Sequence, residues 1–139
     1  MIILDTNVLS ELMKSVPEIA VAKWVATQPA ASLFTTTITQ AEILYGVKLL
    51  PRGRRRDAIA AAADAMFEED FAQRILPFSS QAAQAYAEIA VTRRRSGRPI
   101  AQFDAQIAAI AASTAARMAT RNLLAFEGCG IEVVDPWQS

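Results

Sequence analysis

Short apolar runs alternate with longer amphipathic stretches along the chain. Five runs have the length and composition of buried strands, at residues 2–4, 33–36, 75–78, 117–120 and 131–134. Pairs of helix-like stretches separate the first four runs, and proline or glycine stands at most of the breaks. The order β-α-α-β-α-α-β-α-α-β-β predicts an α/β fold. Its central, mainly parallel sheet has about five strands, with helices on both faces.

Polar residues and prolines predict where the individual elements begin and end. Six helices are expected, over residues 7–14, 17–28, 39–50, 57–72, 80–95 and 102–115. Asn7 is expected to cap the first helix, Thr39 to open the third, and Ser79 or Ser80 to cap the fifth. Pro77 lies within the third strand, which therefore belongs near an edge of the sheet.

The composition predicts one globular domain over residues 1–139. Apolar residues make up 53% of the chain and charged residues 20%, which excludes a disordered protein. The first residues lack the basic and apolar stretches of a signal peptide, and no apolar run reaches the roughly 18 residues of a membrane span. We therefore expect a cytoplasmic protein without a membrane partner.

The absence of histidine restricts the chemistry that the chain can perform. A histidine general base, a Ser-His-Asp triad and a histidine-ligated zinc are all excluded. The single cysteine, Cys129, cannot form an internal disulfide and has no histidine to activate it. The net charge of zero does not indicate a nucleic-acid partner. Two local arginine clusters, at 52–56 and 93–98, are nevertheless able to hold phosphates.

Four oxygen-bearing side chains are predicted to meet at one edge of the sheet: Asp5, Glu42, Asp104 and Asn122. Two of them follow strands and two lie near helix starts. Strand carboxyl ends and helix amino ends share one edge of a right-handed α/β sheet, which is where ligands bind. Carboxylates brought together repel unless a cation neutralises them, and oxygen ligands suit Mg²⁺ or Mn²⁺. Water on such a metal can attack a phosphodiester.

Each of these residues also has a purely structural interpretation. Thr39-x-x-Glu42 fits a capping box, in which the glutamate bonds back to the helix start. A carboxylate at Asp104 gains about 0.3–1 kcal/mol from a nearby helix amino end. Asn122 is typical of a turn. The residue pattern alone leaves both interpretations open.

Four short segments together resemble the PIN-domain ribonucleases, and most closely the VapC/FitB-type toxins of bacterial toxin–antitoxin pairs. The segments are Leu-Asp-Thr-Asn-Val-Leu at 4–9, Thr-x-x-Glu-Ile-x-x-Gly at 39–46, Asp-Ala-Gln-Ile-Ala at 104–108, and Ala-Thr-Arg-Asn at 119–122. The tail at 126–137 is also similar to the ending of that group. The likeness therefore runs through essentially the whole chain.

The resemblance implies a metal-dependent endoribonuclease that acts as a toxin. It implies that Asp5, Glu42 and Asp104 are the catalytic residues and hold Mg²⁺ or Mn²⁺. A secondary set of site residues comprises Thr6, Asn7, Thr120 and Asn122. The resemblance further implies an RNA substrate, a homodimer, and a cognate DNA-binding antitoxin that blocks the site.

This sequence departs from the family pattern at Asn122, where many relatives have a fourth acid, and at Ala125, where relatives commonly have Asp or His. Asparagine can ligate a metal through its carbonyl oxygen but adds no charge. The cluster of Arg93, Arg94 and Arg95 is the candidate RNA-binding segment, with ordinary solvated helix ends as its alternative.

Two rival functions follow from the same residues. A phosphatase that forms an aspartyl-phosphate also begins with an aspartate after an apolar strand, but it needs a second acid where this chain has Asn7. A catalytically weakened PIN-like module would bind RNA or an antitoxin without cleaving. Asn122 and Ala125 keep that second alternative open.

Overall fold

The computed structural model describes residues 1–139, all of the chain, and contains a single five-stranded parallel sheet. The strands are β1 (Ile2–Leu4), β2 (Leu33–Thr36), β3 (Ile75–Leu76), β4 (Arg117–Ala119) and β5 (Val133–Val134). The helices are α1 (Thr6–Leu12), α2 (Ile19–Thr27), α3 (Thr37–Leu49), α4 (Arg54–Ala65), α5 (Ser80–Arg95) and α6 (Gln102–Ser113). The predicted α/β fold is confirmed.

Strand β1 lies at the centre of the sheet, whose order is β3-β2-β1-β4-β5. Its side chains alternate between two apolar cores, as the two-residue period of a strand requires. Ile2 and Leu4 pack in the core that α1 to α4 cover, whereas Ile3 packs in the core beneath α5 and α6. Because both faces are covered, all three residues are buried, and the strand reads as one continuous apolar run.

The first helix is capped by Asp5, and the prediction that Asn7 caps it is wrong. Asp5 continues the extended backbone of β1, with φ −68° and ψ 164°, and its Oδ1 accepts from the Thr6 amide at 2.8 Å. Asn7 is already in the first helical turn. The chain therefore passes from buried strand to helix at a single residue, and that residue carries a carboxylate.

The third helix begins earlier than the sequence suggested. Thr36, the last residue of β2, caps α3 by accepting from the Thr39 amide at 3.1 Å. Thr39 is therefore inside the first turn, and the capping box predicted for Thr39 and Glu42 does not form. Glu42 lies too far along the helix to serve the cap, so its carboxylate is free for another role.

Several other boundaries also differ from the prediction, most clearly those of the fourth helix and the third strand. The helix expected over residues 57–72 begins at Arg54, ends at Ala65 and continues as a π-helical turn, Met66–Asp70. The third strand stops at Leu76, directly before Pro77, which has no amide proton to donate to a neighbouring strand. This strand lies at the edge of the sheet, as predicted. No helix combines the length and apolarity that a membrane crossing demands.

Candidate active site

Asp5 is the most deeply placed acid at the carboxyl edge of the sheet, with 4% of its surface exposed. Its amide donates to the Ala119 carbonyl of the neighbouring strand at 3.0 Å, which fixes the backbone. Its Oδ2 accepts from the Thr120 hydroxyl at 2.8 Å and from the Asn7 side-chain amide at 3.4 Å. The carboxylate is thus oriented on both oxygens, since Oδ1 serves the helix cap.

Thr120 joins the residues around Asp5 into one network. Its buried hydroxyl donates to Asp5 and accepts from the Asn7 side-chain amide at 3.1 Å and from the Asn122 backbone amide at 3.1 Å. The Asn7 carbonyl oxygen in turn accepts from the Arg121 amide at 3.2 Å. The predicted site residues Thr120 and Asn7 therefore hold the end of β4 against the start of α1.

Glu42 is oriented by a chain of two threonine hydroxyls. The Thr6 hydroxyl donates to Glu42 Oε1 at 2.9 Å, and the Thr6 and Thr39 hydroxyl oxygens lie 3.0 Å apart. Thr6 has one hydroxyl proton, and the ionised carboxylate can only accept. With that proton directed to Glu42, Thr39 must donate to Thr6. The direction of the whole chain is then fixed, from Thr39 through Thr6 to Glu42.

Asp104 lies in the first turn of α6, as predicted, and is half-buried. Burial raises the pKa of its carboxyl above the usual value, and the charge of Arg93 acts in the opposite direction. No side chain caps the amino end of α6. Asp104 therefore adds a negative charge at a helix start, where the backbone amides favour it.

The three acids are electrostatically coupled. Burial is the main cause that raises the pKa of Asp5 and of Glu42, and the charge of Asp104 raises both further. Asp5 also raises the pKa of Glu42, against the hydrogen bond from Thr6. None of the three forms a salt bridge with a lysine or arginine. Only the more distant charge of Arg93, acting on Asp104, offsets this repulsion.

The acids are neighbours, but they do not converge fully in these side-chain positions. No group of three acidic side chains is close enough to ligate one ion together. Glu42 is directed to Thr6, and both oxygens of Asp5 are held by other partners. Asn122 is exposed; its backbone amide bonds to Thr120, and its side chain does not cap the turn that follows.

The prediction that Arg93 contacts RNA is contradicted by its burial. It is 7% exposed, and its guanidinium donates to three backbone carbonyls, those of Arg98, Ala125 and Glu127. A guanidinium that is used in this way holds the tail of the chain against α5. Arg94 and Arg95 are exposed, so only those two members of the predicted cluster remain accessible.

A groove of about 770 Å³ lies beside the acids, between α1, α3 and α4. Thr6 and Glu42 line it where it meets the site, and Lys14 and Arg55 also line it. The rest of the wall is largely aliphatic, with Met13, Val16, Ile43, Val47, Leu50 and Ile59. The groove therefore joins the acidic site to part of the first arginine cluster, not to the second.

A comparison of the sequence with protein families matches residues 2–123 to the PIN domain. The chain belongs to the PIN-domain family. VapC ribonuclease Y4jK of Sinorhizobium fredii is 36% identical over 138 residues, covering 99% of both chains. Toxin FitB of Neisseria gonorrhoeae is 34% identical over 137 residues, again covering 99% of both. These relatives confirm the likeness to the VapC/FitB-type toxins.

Solved structures support the same assignment. The toxin chain in the structure of FitAB bound to an IR36 DNA fragment superimposes with a TM-score of 0.92 at 34% identity. The match covers 99% of this chain and 96% of that one. The PIN fold predicted from the sequence is confirmed for the full length of the protein.

Sequence reasoning missed two features of this PIN domain. The sequence pattern predicts that Thr39 caps a helix, whereas its hydroxyl lies 3.0 Å from that of Thr6, which donates to Glu42. The two arginine clusters also differ in a way that the sequence analysis did not separate, since Arg55 lines the groove and Arg93 is internal. A signal for the second point was present: Arg93 lies four residues after Ile89, on the buried stripe of α5.

We predict that Asp5→Asn stabilises the metal-free protein at neutral pH and preserves the fold. Asparagine caps a helix as well as aspartate does, and it removes a charge whose burial is unfavourable. Burial raises the pKa of Asp5 above the value of 3.8 that it has in the unfolded chain. With respect to this group, the wild type is therefore most stable below pH 3.8, where the carboxyl is protonated, and it loses this stability as pH rises through the folded-state pKa. The melting-temperature gain of Asp5→Asn should therefore grow from pH 3.5 to pH 7 in EDTA.

Asp5→Ala provides the control, since it also removes the charge but costs about 1 kcal/mol through the lost cap. It should melt below Asp5→Asn at every pH. If Asp5→Asn melts below the wild type at pH 7, the hydrogen bonds to the carboxylate outweigh its burial.

We predict a large difference between two adjacent arginines. Arg93→Gln should lower the free energy of unfolding by roughly 3 kcal/mol, because three part-buried backbone carbonyls lose their charged donor. Arg94→Gln should change it by less than about 0.5 kcal/mol, because Arg94 is exposed. Urea unfolding of the two variants measures the difference. Equal values would show that the guanidinium of Arg93 does not hold the tail.

Proposed function

We propose that this PIN domain is a divalent-metal-dependent endoribonuclease that acts as the toxin of a toxin–antitoxin pair. The observation that supports this most directly is the coupling of Asp5, Glu42 and Asp104, three acids with raised pKa values that form no salt bridge. The full-length relatives named a VapC ribonuclease and Toxin FitB support the reaction and the biological role.

The donor chemistry of the site fits Mg²⁺ or Mn²⁺. All candidate ligands are oxygens, and the acids repel one another in the absence of a cation. Asp5, Glu42 and Asp104 would hold the ion, with Asn122 as a possible neutral ligand through its amide oxygen. When bound, such an ion activates a water and stabilises charge on a phosphodiester.

The residues of the chain itself prepare the site for that chemistry. Thr120 and the Thr6 amide hold the two oxygens of Asp5, and Thr6 holds one oxygen of Glu42. Asp5 and Glu42 are therefore kept in a defined orientation before a substrate arrives, which lowers the cost of ordering the site. The burial of Asp5 excludes water from one side of the site.

We further propose an RNA substrate, a homodimer and a DNA-binding antitoxin as partners. Support for the antitoxin comes from the structure of FitAB on DNA, in which a similar toxin is complexed.

We predict that Asp104→Asn and Glu42→Gln each abolish cleavage while leaving the melting temperature near that of the wild type. Each removes one negative charge that a divalent cation needs, and each retains the size of the side chain. Cleavage of mixed RNAs should be measured with Mg²⁺, with Mn²⁺ and with EDTA. Loss of activity that parallels unfolding would mean a structural role. Wild-type protein that binds RNA but never cleaves would favour the weakened module.

We predict that Thr39→Val and Thr6→Val each lower RNA cleavage about 10–100-fold, the usual effect of losing a group that orients a metal ligand. Valine is similar in shape to threonine, so the fold is preserved. Because Thr39 acts through Thr6, the double variant should be no worse than Thr6→Val alone. Thr39→Ser should restore activity. Additive losses in the double variant would contradict the chain of hydroxyls.

A further inference from the structure

Gly46 occupies a position where the fold itself does not need glycine. It lies inside α3, one turn after Glu42, in a helical conformation that any residue can adopt. A Cβ atom built at Gly46 would meet nothing within 4 Å. No turn, close backbone approach or left-handed conformation therefore accounts for the residue.

The glycine instead weakens the helix that carries a catalytic acid. Glycine is less favourable than alanine in a helix interior, because it loses more backbone freedom on folding. A residue that costs stability and satisfies no packing requirement points to a requirement at the functional site. The open space above Gly46 is part of the groove that also contains Glu42.

Cationic side chains in the same groove indicate what passes over Gly46. Lys14 and Arg55 line it. Lys14 is paired with Glu11, Nζ to Oε1 3.0 Å, whereas Arg55 belongs to a run of arginines at the start of α4. None of the arginines in that run forms a salt bridge within the protein. A chain of phosphates would find the unpaired Arg55 on this path and the acidic site at its end, which a neutral segment would not require.

We propose that Gly46 keeps the approach to Glu42 open for the backbone of an RNA strand, which runs through the groove past Arg55. This inference rests on the proposed ribonuclease activity and names the path of its substrate. The bare helix surface lets the sugar–phosphate backbone come closer to α3 than any side chain would allow. Gly46 thus sets the distance between the strand and Glu42.

The test is a series of side chains of increasing size, Gly46→Ala, Gly46→Val and Gly46→Leu, measured without antitoxin. Gly46→Ala should raise the melting temperature by about 3–5 °C, because alanine favours the helix. The same series should progressively lower kcat/KM for RNA cleavage, by roughly 100-fold at leucine, since a displacement of about 1 Å can have that effect. A rise in stability together with a loss of activity is not expected of a merely structural glycine.

Ala41→Leu is the matched control. Ala41 is exposed on the same helix and lies outside the groove, so the added bulk should leave cleavage unchanged. Arg55→Gln should weaken RNA binding. It should also make the slope of the logarithm of the binding constant against the logarithm of the salt concentration shallower by about 0.7, the value for one phosphate of a single strand. Lys23→Gln, which removes an equal charge from an exposed position of α2 outside the groove, should reduce neither.

Two results would overturn the inference. The first is a Gly46→Leu variant that cleaves RNA as well as the wild type. If that variant also no longer binds the antitoxin, the space above Gly46 serves a protein segment and not RNA. The second is an equal loss in Ala41→Leu. Failure of the proposed function has a different signature, because the wild type itself would then not cleave RNA under any metal condition.

Discussion

The burial of one carboxylate at the end of the central strand determines much of this structure. Asp5 is almost completely removed from water, and a buried charge without partners would be very unfavourable. The chain satisfies it with the Thr6 amide, the Thr120 hydroxyl and the Asn7 amide. These partners come from α1 and from the end of β4, so the same bonds that stabilise the charge also join the two elements that form the site.

The order of the strands explains why the acids meet. Because β1 is central and all strands are parallel, the ends of β1, β2 and β4 lie side by side at one edge. The helices α1 and α3 begin directly at the first two of those ends, with no intervening loop. Short connections leave little freedom, so the backbone sets the positions of Asp5 and Glu42.

The sequence was sufficient for the strands, their parallel arrangement and the edge at which the acids gather, because these follow from apolar runs and from the handedness of α/β connections. The sequence alone did not determine which residue takes a given role where several similar residues are adjacent. Thr35, Thr36 and Thr37 are all able to end a strand and cap a helix, so the start of α3 was misplaced. The arginines of α5 differ only in their direction from the helix axis. Composition does not reveal that Arg93 points inward, whereas the buried stripe through Ile89 does.

The contact between Thr120 and Asp5 joins residues that are 115 positions apart in the chain. Synthesis runs from the amino to the carboxyl end, so the six helices that lie between these two residues are made before Thr120. A nascent chain on the ribosome therefore lacks the hydroxyl that orients Asp5 until both layers of helices are available. This topology makes assembly of the acidic site a late event in the folding of the domain.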